Sequence, residues 1–339
     1  MTANPAKRIG TATAALAAAA ALSACGGDGG GTPPDPQHFQ GKNDGLPNRI
    51  SGAATSEEAI ALTATTVGVD YADGGATLAD PEEISVRIFR TAPGAVPTVE
   101  LTRGDDVKTF GPEHASDGEN YRVPPSGEGV QDRRGLWTWA GYPIEHANGW
   151  YVGDDGERRS QRQEYLIPLG FYLDTETVDP HRYAVIGLRT PPGDMPTHDV
   201  TASYVGDVRV DTWAVGDGRD RTRWDSEILL EADFAGGTVS GTLDRWVLQD
   251  FELEDGTVVD LLYEGTAYLV PETRITGNGF SGSLVAAPGC EDCFELTSSA
   301  IEGGFYGPYA EESGGTLQGG FTDAAGDDHV MNGIFYANR

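Results

Sequence analysis

In the last third of the sequence an apolar residue, a glycine and a second apolar residue recur at alternate positions: Val239-Gly241-Leu243, Phe280-Gly282-Leu284, Ile301-Gly303-Phe305 and Leu317-Gly319-Phe321. Side chains on a strand alternate between faces, so each segment turns this set one way and mostly serine, threonine, glutamate, glutamine or glycine the other. Each strand therefore has a dry face and a wet one. Glycine weakens a strand, and its recurrence on the dry face points to a sheet coiled so tightly that its concave interior lacks room for a large side chain in every layer. The expected object is a small closed antiparallel β-barrel.

The direction of the dry face decides what kind of barrel this is. From Ser226 to Phe234, Ile228, Leu230, Ala232 and Phe234 share one face and Glu227, Glu231 and Asp233 the other, with Leu229 the only misfit. A membrane-spanning barrel would have to turn these carboxylates into hydrocarbon, which is prohibitive. The barrel is expected to be soluble and filled by its own side chains. Strands are predicted at 201–208, 226–234, 238–243, 266–274, 279–286, 299–306, 314–321 and 331–337, eight in all, a number whose interior side chains just fill the space.

At the other end of the chain, Lys7 and Arg8 precede an apolar run from Ile9 to Leu22 that closes in Leu22-Ser23-Ala24-Cys25. A short positive region, an apolar stretch too short for a good membrane span, and small residues before a cysteine read as a lipoprotein signal over residues 1–24, with Cys25 lipidated. The alternative is an ordinary cleaved signal followed by an incidental cysteine. Residues 25–45, with a glycine run from Gly26 and prolines at 33, 34 and 36, bury nothing and are expected to act as a flexible tether. Because Gly26 and not aspartate follows Cys25, the resemblance to sorted lipoproteins implies the outer membrane, with an acyl anchor as the contact with lipid.

The 339 residues carry 53 acidic against 23 basic side chains, a formal net charge of −30. Nucleic acid and anionic membrane surfaces would repel such a chain. Acidity keeps an exported protein soluble, and a basic partner surface would be steered by the same field. Beyond Cys25 there are two cysteines, Cys290 and Cys293. Such a pair reads as a redox couple, half a zinc site or a local disulfide. A second ligand pair and a surrounding βαβ unit are both missing from the sequence, and outside the cytoplasm the pair should be oxidised, so a staple for the loop joining the fifth and sixth strands is expected.

Residues 46–189 show short alternating stretches, such as 84–89 and 165–173, between long polar loops, the longest expected from Arg103 to Arg134. This half reads as a second β domain of irregular outline, with exposed loops where binding surfaces usually lie. Its aromatic cluster, Trp137, Trp139 and Tyr142 with Trp150 and Tyr151, is the candidate partner-binding set; the bland alternative is that Trp137 and Trp139, on one face of a strand, belong to a core. Residues 190–197, with Pro191, Pro192, Gly193 and Pro196, break any ladder and are read as the linker to a barrel domain over 198–339.

Specific residues cluster at this junction and beyond it: Thr190-Pro191, Asp194-Met195-Pro196-Thr197, Ala202-x-Tyr204-x-Gly206, Ala232-Asp233-Phe234, and Gly304-Phe305-Tyr306-Gly307-Pro308-Tyr309-Ala310-Glu311-Glu312-x-Gly314-Gly315, with Gly333 to Tyr336 suiting a closing strand. This series resembles the C-terminal β-barrel domain of the transferrin-binding protein B family of surface lipoproteins, over about 140 residues. The resemblance implies a handle domain followed by an eight-stranded barrel, tethered by an acylated cysteine, and it makes the Gly304 to Gly315 element structural. A full transferrin receptor of that family has two such lobes and this chain has one, so iron capture from transferrin is not implied.

The leading functional expectation is a non-catalytic, lipid-anchored outer-membrane or cell-surface protein that captures a protein or small solute through handle loops and barrel rim, without cofactor or metal. A periplasmic barrel carrier of a small apolar ligand is the alternative, with Phe234, Phe280, Phe305 and Phe321 available to fill the space instead. An exported hydrolase would need a nucleophile with its base or tuned carboxylates, and neither Gly-x-Ser-x-Gly nor His-Glu-x-x-His occurs. His38, His114, His146, His181, His198 and His329 are scattered without ligand spacing and are expected to be solvated, as are the acidic pairs Asp154-Asp155 and Asp327-Asp328.

Overall fold

The computed structural model describes residues 60–72, 75–89, 98–110, 115–116, 120–122, 137–140, 147–152, 158–163, 165–172, 179–197, 200–216, 221–252, 257–290, 293–323 and 325–339. No helix occurs among the described residues. In the first half these strands are β1 (Ile60–Ala72), β2 (Gly75–Phe89), β3 (Thr98–Arg103), β4 (Asp106–Phe110), β5 (Ala115–Ser116), β6 (Asn120–Arg122), β7 (Trp137–Ala140), β8 (Ala147–Val152), β9 (Arg158–Gln163), β10 (Leu166–Tyr172) and β11 (Asp179–Gly187). All but β8 and β9, which pair with each other, lie in one sheet of order β4-β3-β2-β1-β11-β10-β7-β6-β5. The segment expected to be a polar loop from Arg103 onward instead carries the β3–β4 hairpin and the short β5 and β6. A tight turn at Gly104, whose φ is +54°, folds Asp106 back opposite Arg103.

The second half forms β12 (Thr201–Ala214), β13 (Arg221–Asp233), β14 (Thr238–Glu252), β15 (Val258–Thr276), β16 (Gly279–Gly282), β17 (Val285–Ala286), β18 (Glu295–Tyr306), β19 (Glu312–Thr322) and β20 (Asp328–Asn338). Each of β12 to β15 pairs antiparallel with the next, β16 pairs with β18, and the ladder runs on through β19 and β20 back to β12. The result is a closed eight-stranded antiparallel barrel, and closure removes every free sheet edge from the ring. The predicted fifth strand is split: β16 bridges β15 and β18, while β17 pairs only with β15. The third and fourth strands run well past their predicted ends, as a β14–β15 hairpin whose Val258, Leu262 and Tyr263 are exposed. Polar and apolar residues mix on both faces there, so the alternation that marks a barrel wall is lost.

All four alternating repeats point inward, since Val239, Leu243, Phe280, Leu284, Ile301, Phe305, Leu317 and Phe321 belong to the buried cluster that fills the barrel. Ring centroids of Phe305 lie 5.7 Å from Tyr204, 5.3 Å from Phe234 and 5.8 Å from Phe280, with Phe280 6.2 Å from Phe335. The inward glycines make room for these rings. A Cβ on Gly303 would sit 2.2 Å from the Phe280 ring, and one on Gly315 would sit 1.9 Å from the Glu302 carbonyl oxygen and 2.7 Å from the Phe335 ring. An interior packed with aromatic rings in this way disfavours the apolar-ligand carrier.

Not all of the outer wall is wet. On β12, β19 and β20 outward residues such as Asp211, Trp213, Thr316, Asn332 and Ile334 are buried, because the first sheet lies against them. Val67, Leu166, Tyr183 and Val185 pack with Tyr306 and Ile334 in one cluster, and Val69 and Ala76 with Trp213 in another.

Candidate functional site

The joint between sheet and barrel begins where β11 ends. Arg189 forms a bridge with Tyr306, the Thr190 amide donates to Phe305 O at 2.9 Å, and the Thr190 hydroxyl donates to Gly307 O at 2.7 Å. The Gly307 amide returns a bond to Leu188 O at 2.9 Å, and Asn278 Nδ2 donates to Thr190 O at 2.7 Å. Residues 191–194 then turn, with the Asp194 amide on Pro191 O. The proline-rich stretch is thus bonded into the barrel at its first residue.

The motif from Gly304 to Gly315 is the barrel's side of this joint. Glu312, 3% exposed, accepts the backbone amides of Tyr165 and Leu166, both at 3.0 Å, and so holds the start of β10. The Tyr309 amide donates to Glu311 at 2.8 Å, and the Tyr204 hydroxyl reaches Ala310 O at 2.5 Å from inside the barrel. Gly307 and Ala310 both take positive φ, at +85° and +59°. The second is costly for a residue with a Cβ and is held by these bonds around it.

Further along the joint lies a buried charged cluster. Asp211, with no exposed surface, accepts the Tyr183 hydroxyl at 2.7 Å and lies 3.3 Å from His181 Nε2, 3.4 Å from Arg223 Nε and 3.7 Å from an Arg221 nitrogen. Burial holds His181 down at about 4, while Asp211 pulls it up. Burial pushes the Tyr183 phenol well up, and the Asp211 carboxylate adds to that. Arg223 is held above its ordinary value: burial opposes the charge, and Asp211 outweighs it. His181, expected to be solvated, is here a neutral core residue, its ring 5.2 Å from Trp213. His329 is paired too, with Nε2 3.1 Å from Asp323 and its ring stacked on Phe321 at 4.8 Å.

Two concave surfaces flank these contacts. Between sheet and barrel wall a cleft of about 280 Å³ is lined by Thr65, Arg189, Phe280, Glu302, Tyr306 and Thr316, among others. On the barrel's outer wall a groove of about 450 Å³ is lined by Leu229, Leu269, Pro271 and Val285 with Glu231 and Ser240 on its flank. Leu229, the misfit of the alternation, is the sequence signal for this groove. No signal marks the cleft, because its residues come from strands far apart in the chain. No group of ligating side chains that could hold a metal occurs among the described residues.

Of the aromatic candidates, Trp137 and Trp139 lie on β7, paired with Tyr172 and Gly170, whereas Trp150 and Tyr151 lie on β8 in the separate two-stranded sheet, opposite Ser160 and Arg159. They are thus divided between two sheets. Tyr142 and Cys25 lie outside the described residues. Cys290 and Cys293 are disulfide-bonded within the loop between β17 and β18. That loop is docked on the barrel by the Phe294 amide, which donates to the Tyr268 hydroxyl at 3.1 Å.

Residues 195–339 match the family described as the C-lobe and N-lobe beta barrels of Tf-binding protein B. Among solved structures, a double mutant of transferrin binding protein B from Haemophilus parasuis Hp5 is 15% identical with a TM-score of 0.36, covering 83% of this chain and 76% of its own. A single mutant of the same protein is 19% identical with a TM-score of 0.34, covering 81% of this chain and 60% of its own. The isotype 1 protein from serogroup B Neisseria meningitidis is 13% identical with a TM-score of 0.32, covering 83% and 77%. Among curated proteins none matches the sequence.

Proposed function

We propose that this chain, whose residues 195–339 form a barrel of the transferrin-binding protein B type, is a non-catalytic, lipid-anchored protein of the outer membrane that captures a protein partner at the cell surface. The family match over the barrel is the observation that carries this reading. Three further points support it. The Leu22-Ser23-Ala24-Cys25 signal supplies a lipid anchor on Cys25, and the tether over 25–45 holds the folded part away from the bilayer. The barrel interior is filled by its own rings, so recognition falls to the outer surface. On that surface the Leu229–Leu269–Val285 groove and the exposed Val258, Leu262 and Tyr263 interrupt an acidic exterior, as interface centres do. The handle is read as residues 46–189 and the linker as 190–197, with Trp137, Trp139, Tyr142, Trp150 and Tyr151 as further candidate contacts. The partner is left open, since transferrin capture belongs to the proteins named above.

The test is protease treatment of intact cells. The wild type should be digested without lysis and a Cys25→Ala variant should be released from the membrane fraction. Protection of the wild type until the outer membrane is opened would place it in the periplasm and remove the surface-capture reading.

A further inference from the structure

The cleft between sheet and barrel wall has the chemistry of a small-molecule site. Backbone of Gly279, Gly303 and Gly315 lines it, and Arg189 lies along the wall there: a Cβ on Gly304 would meet an Arg189 nitrogen at 2.5 Å, and one on Gly279 would meet it at 3.3 Å. Missing side chains on the wall are what let a guanidinium lie flat there. Arg189 is exposed and stands over the Tyr306 ring, 5.4 Å from its centroid.

Both groups keep capacity for a ligand. Arg189 forms no ion pair among the described residues, in a chain with 53 acidic and 23 basic side chains. The Tyr306 residue is 1% exposed, and Arg189 is the side chain that reaches its hydroxyl, at a geometry short of a full hydrogen bond. A buried phenol so weakly bonded keeps much of its desolvation cost, and a ligand oxygen between it and the guanidinium would recover part of it. Across the cleft Glu302 adds one carboxylate, and Thr65 and Thr316 add hydroxyls.

We propose that this cleft binds a small zwitterion, with its carboxylate on the Arg189 guanidinium beside Tyr306 and its ammonium on Glu302. The forked donors of arginine match a planar carboxylate. A phosphate dianion fits less well, because Glu302 and the net charge of −30 repel a second negative charge. The cleft volume of about 280 Å³ suits a molecule of amino-acid size. The site is independent of protein capture, which uses other surfaces, so failure of either reading leaves the other standing.

The test is a titration of the purified protein with L-alanine, followed by amide resonances in NMR spectra. Those of Gly279, Gly303, Gly304 and Gly315 should move together along one saturating curve, with a dissociation constant of about 1 mM or tighter. Acetate and methylamine, each half of the zwitterion, should bind at least about tenfold more weakly. Arg189→Lys should weaken alanine by about tenfold. Glu302→Gln should bring alanine and acetate to equal affinity, and unchanged resonances elsewhere show that both variants fold. Scattered or non-saturating shifts, equal binding of alanine and acetate by the wild type, tighter binding of inorganic phosphate, or an unaffected Arg189→Lys variant would each overturn the proposal.

Discussion

Tyr183 on the sheet and Asp211 on the barrel wall share a 2.7 Å hydrogen bond in which both side chains are buried. Asp211 also faces His181, Arg221 and Arg223, so one buried carboxylate is shared among three neighbours and anchors a strand of the sheet. Removing its charge would weaken the acceptor of the buried Tyr183 hydroxyl and the pairing of Arg223. Asp211→Asn is expected to cost about 3 kcal/mol of stability. In a double-mutant cycle with Tyr183→Phe the pair should couple by about 1.5 to 3 kcal/mol. Urea unfolding of the four proteins checks this, and additive effects would show that the bond carries no net stability.

His181 makes the fold sensitive to acid. Its pKa is lowered in the folded protein, from the ordinary 6.5 to about 4, so the unfolded chain takes up a proton first. Stability contributed by the neutral ring is complete above the unfolded value and is lost as pH falls from about 6.5 towards about 4, a loss of about 3 kcal/mol across that window. The groups facing it are Asp211, Arg223, Arg182, Asn332 and Tyr183. Unfolding midpoints for wild type and His181→Gln at about pH 7.5 and about pH 5 should converge as the pH falls. Equal slopes for the two proteins would exclude His181 as the sensor.

Glu312 holds two backbone amides of the other sheet. Glu312→Ala leaves both without an acceptor in a buried place, and about 3 kcal/mol should be lost, with Glu312→Gln intermediate. Limited proteolysis should then cut first within the strands before β12. A variant cut first in the barrel would show that the joint does not depend on this side chain.

Gly303 lies beneath the Phe280 ring. Gly303→Ala should overpack the interior and cost about 1 to 3 kcal/mol, and Phe280→Leu in the same chain should relieve part of it. An unchanged melting temperature in the single variant would mean that the interior is looser than its ring contacts suggest.

The disulfide closes a loop of only three residues' separation. Chain entropy then predicts a small effect: replacing both cysteines by serine should lower stability by about 2 kcal/mol and leave the protein folded. Loss of the fold would assign the pair a larger role than stapling one loop.

Alternation in four glycine-centred repeats was enough to determine a closed barrel, its soluble polarity and its strand number, because a period of two reports directly which face each residue takes. The Cys290–Cys293 staple was equally legible, being a local pattern. What covers the barrel was decided by tertiary structure alone. Nothing near Asp211 in sequence announces Tyr183, nor does anything near Arg189 announce the glycines of β16 and β18. Alternation distinguishes two faces of a strand but says nothing of a second sheet packed on one of them, so the burial of outward residues on β12, β19 and β20 had no signal in the sequence. His181, expected to be solvated because the histidines are scattered without ligand spacing, is buried. Its burial, its lowered pKa and the cleft beside Tyr306 all arise from side chains that meet only when the first sheet closes over the barrel wall.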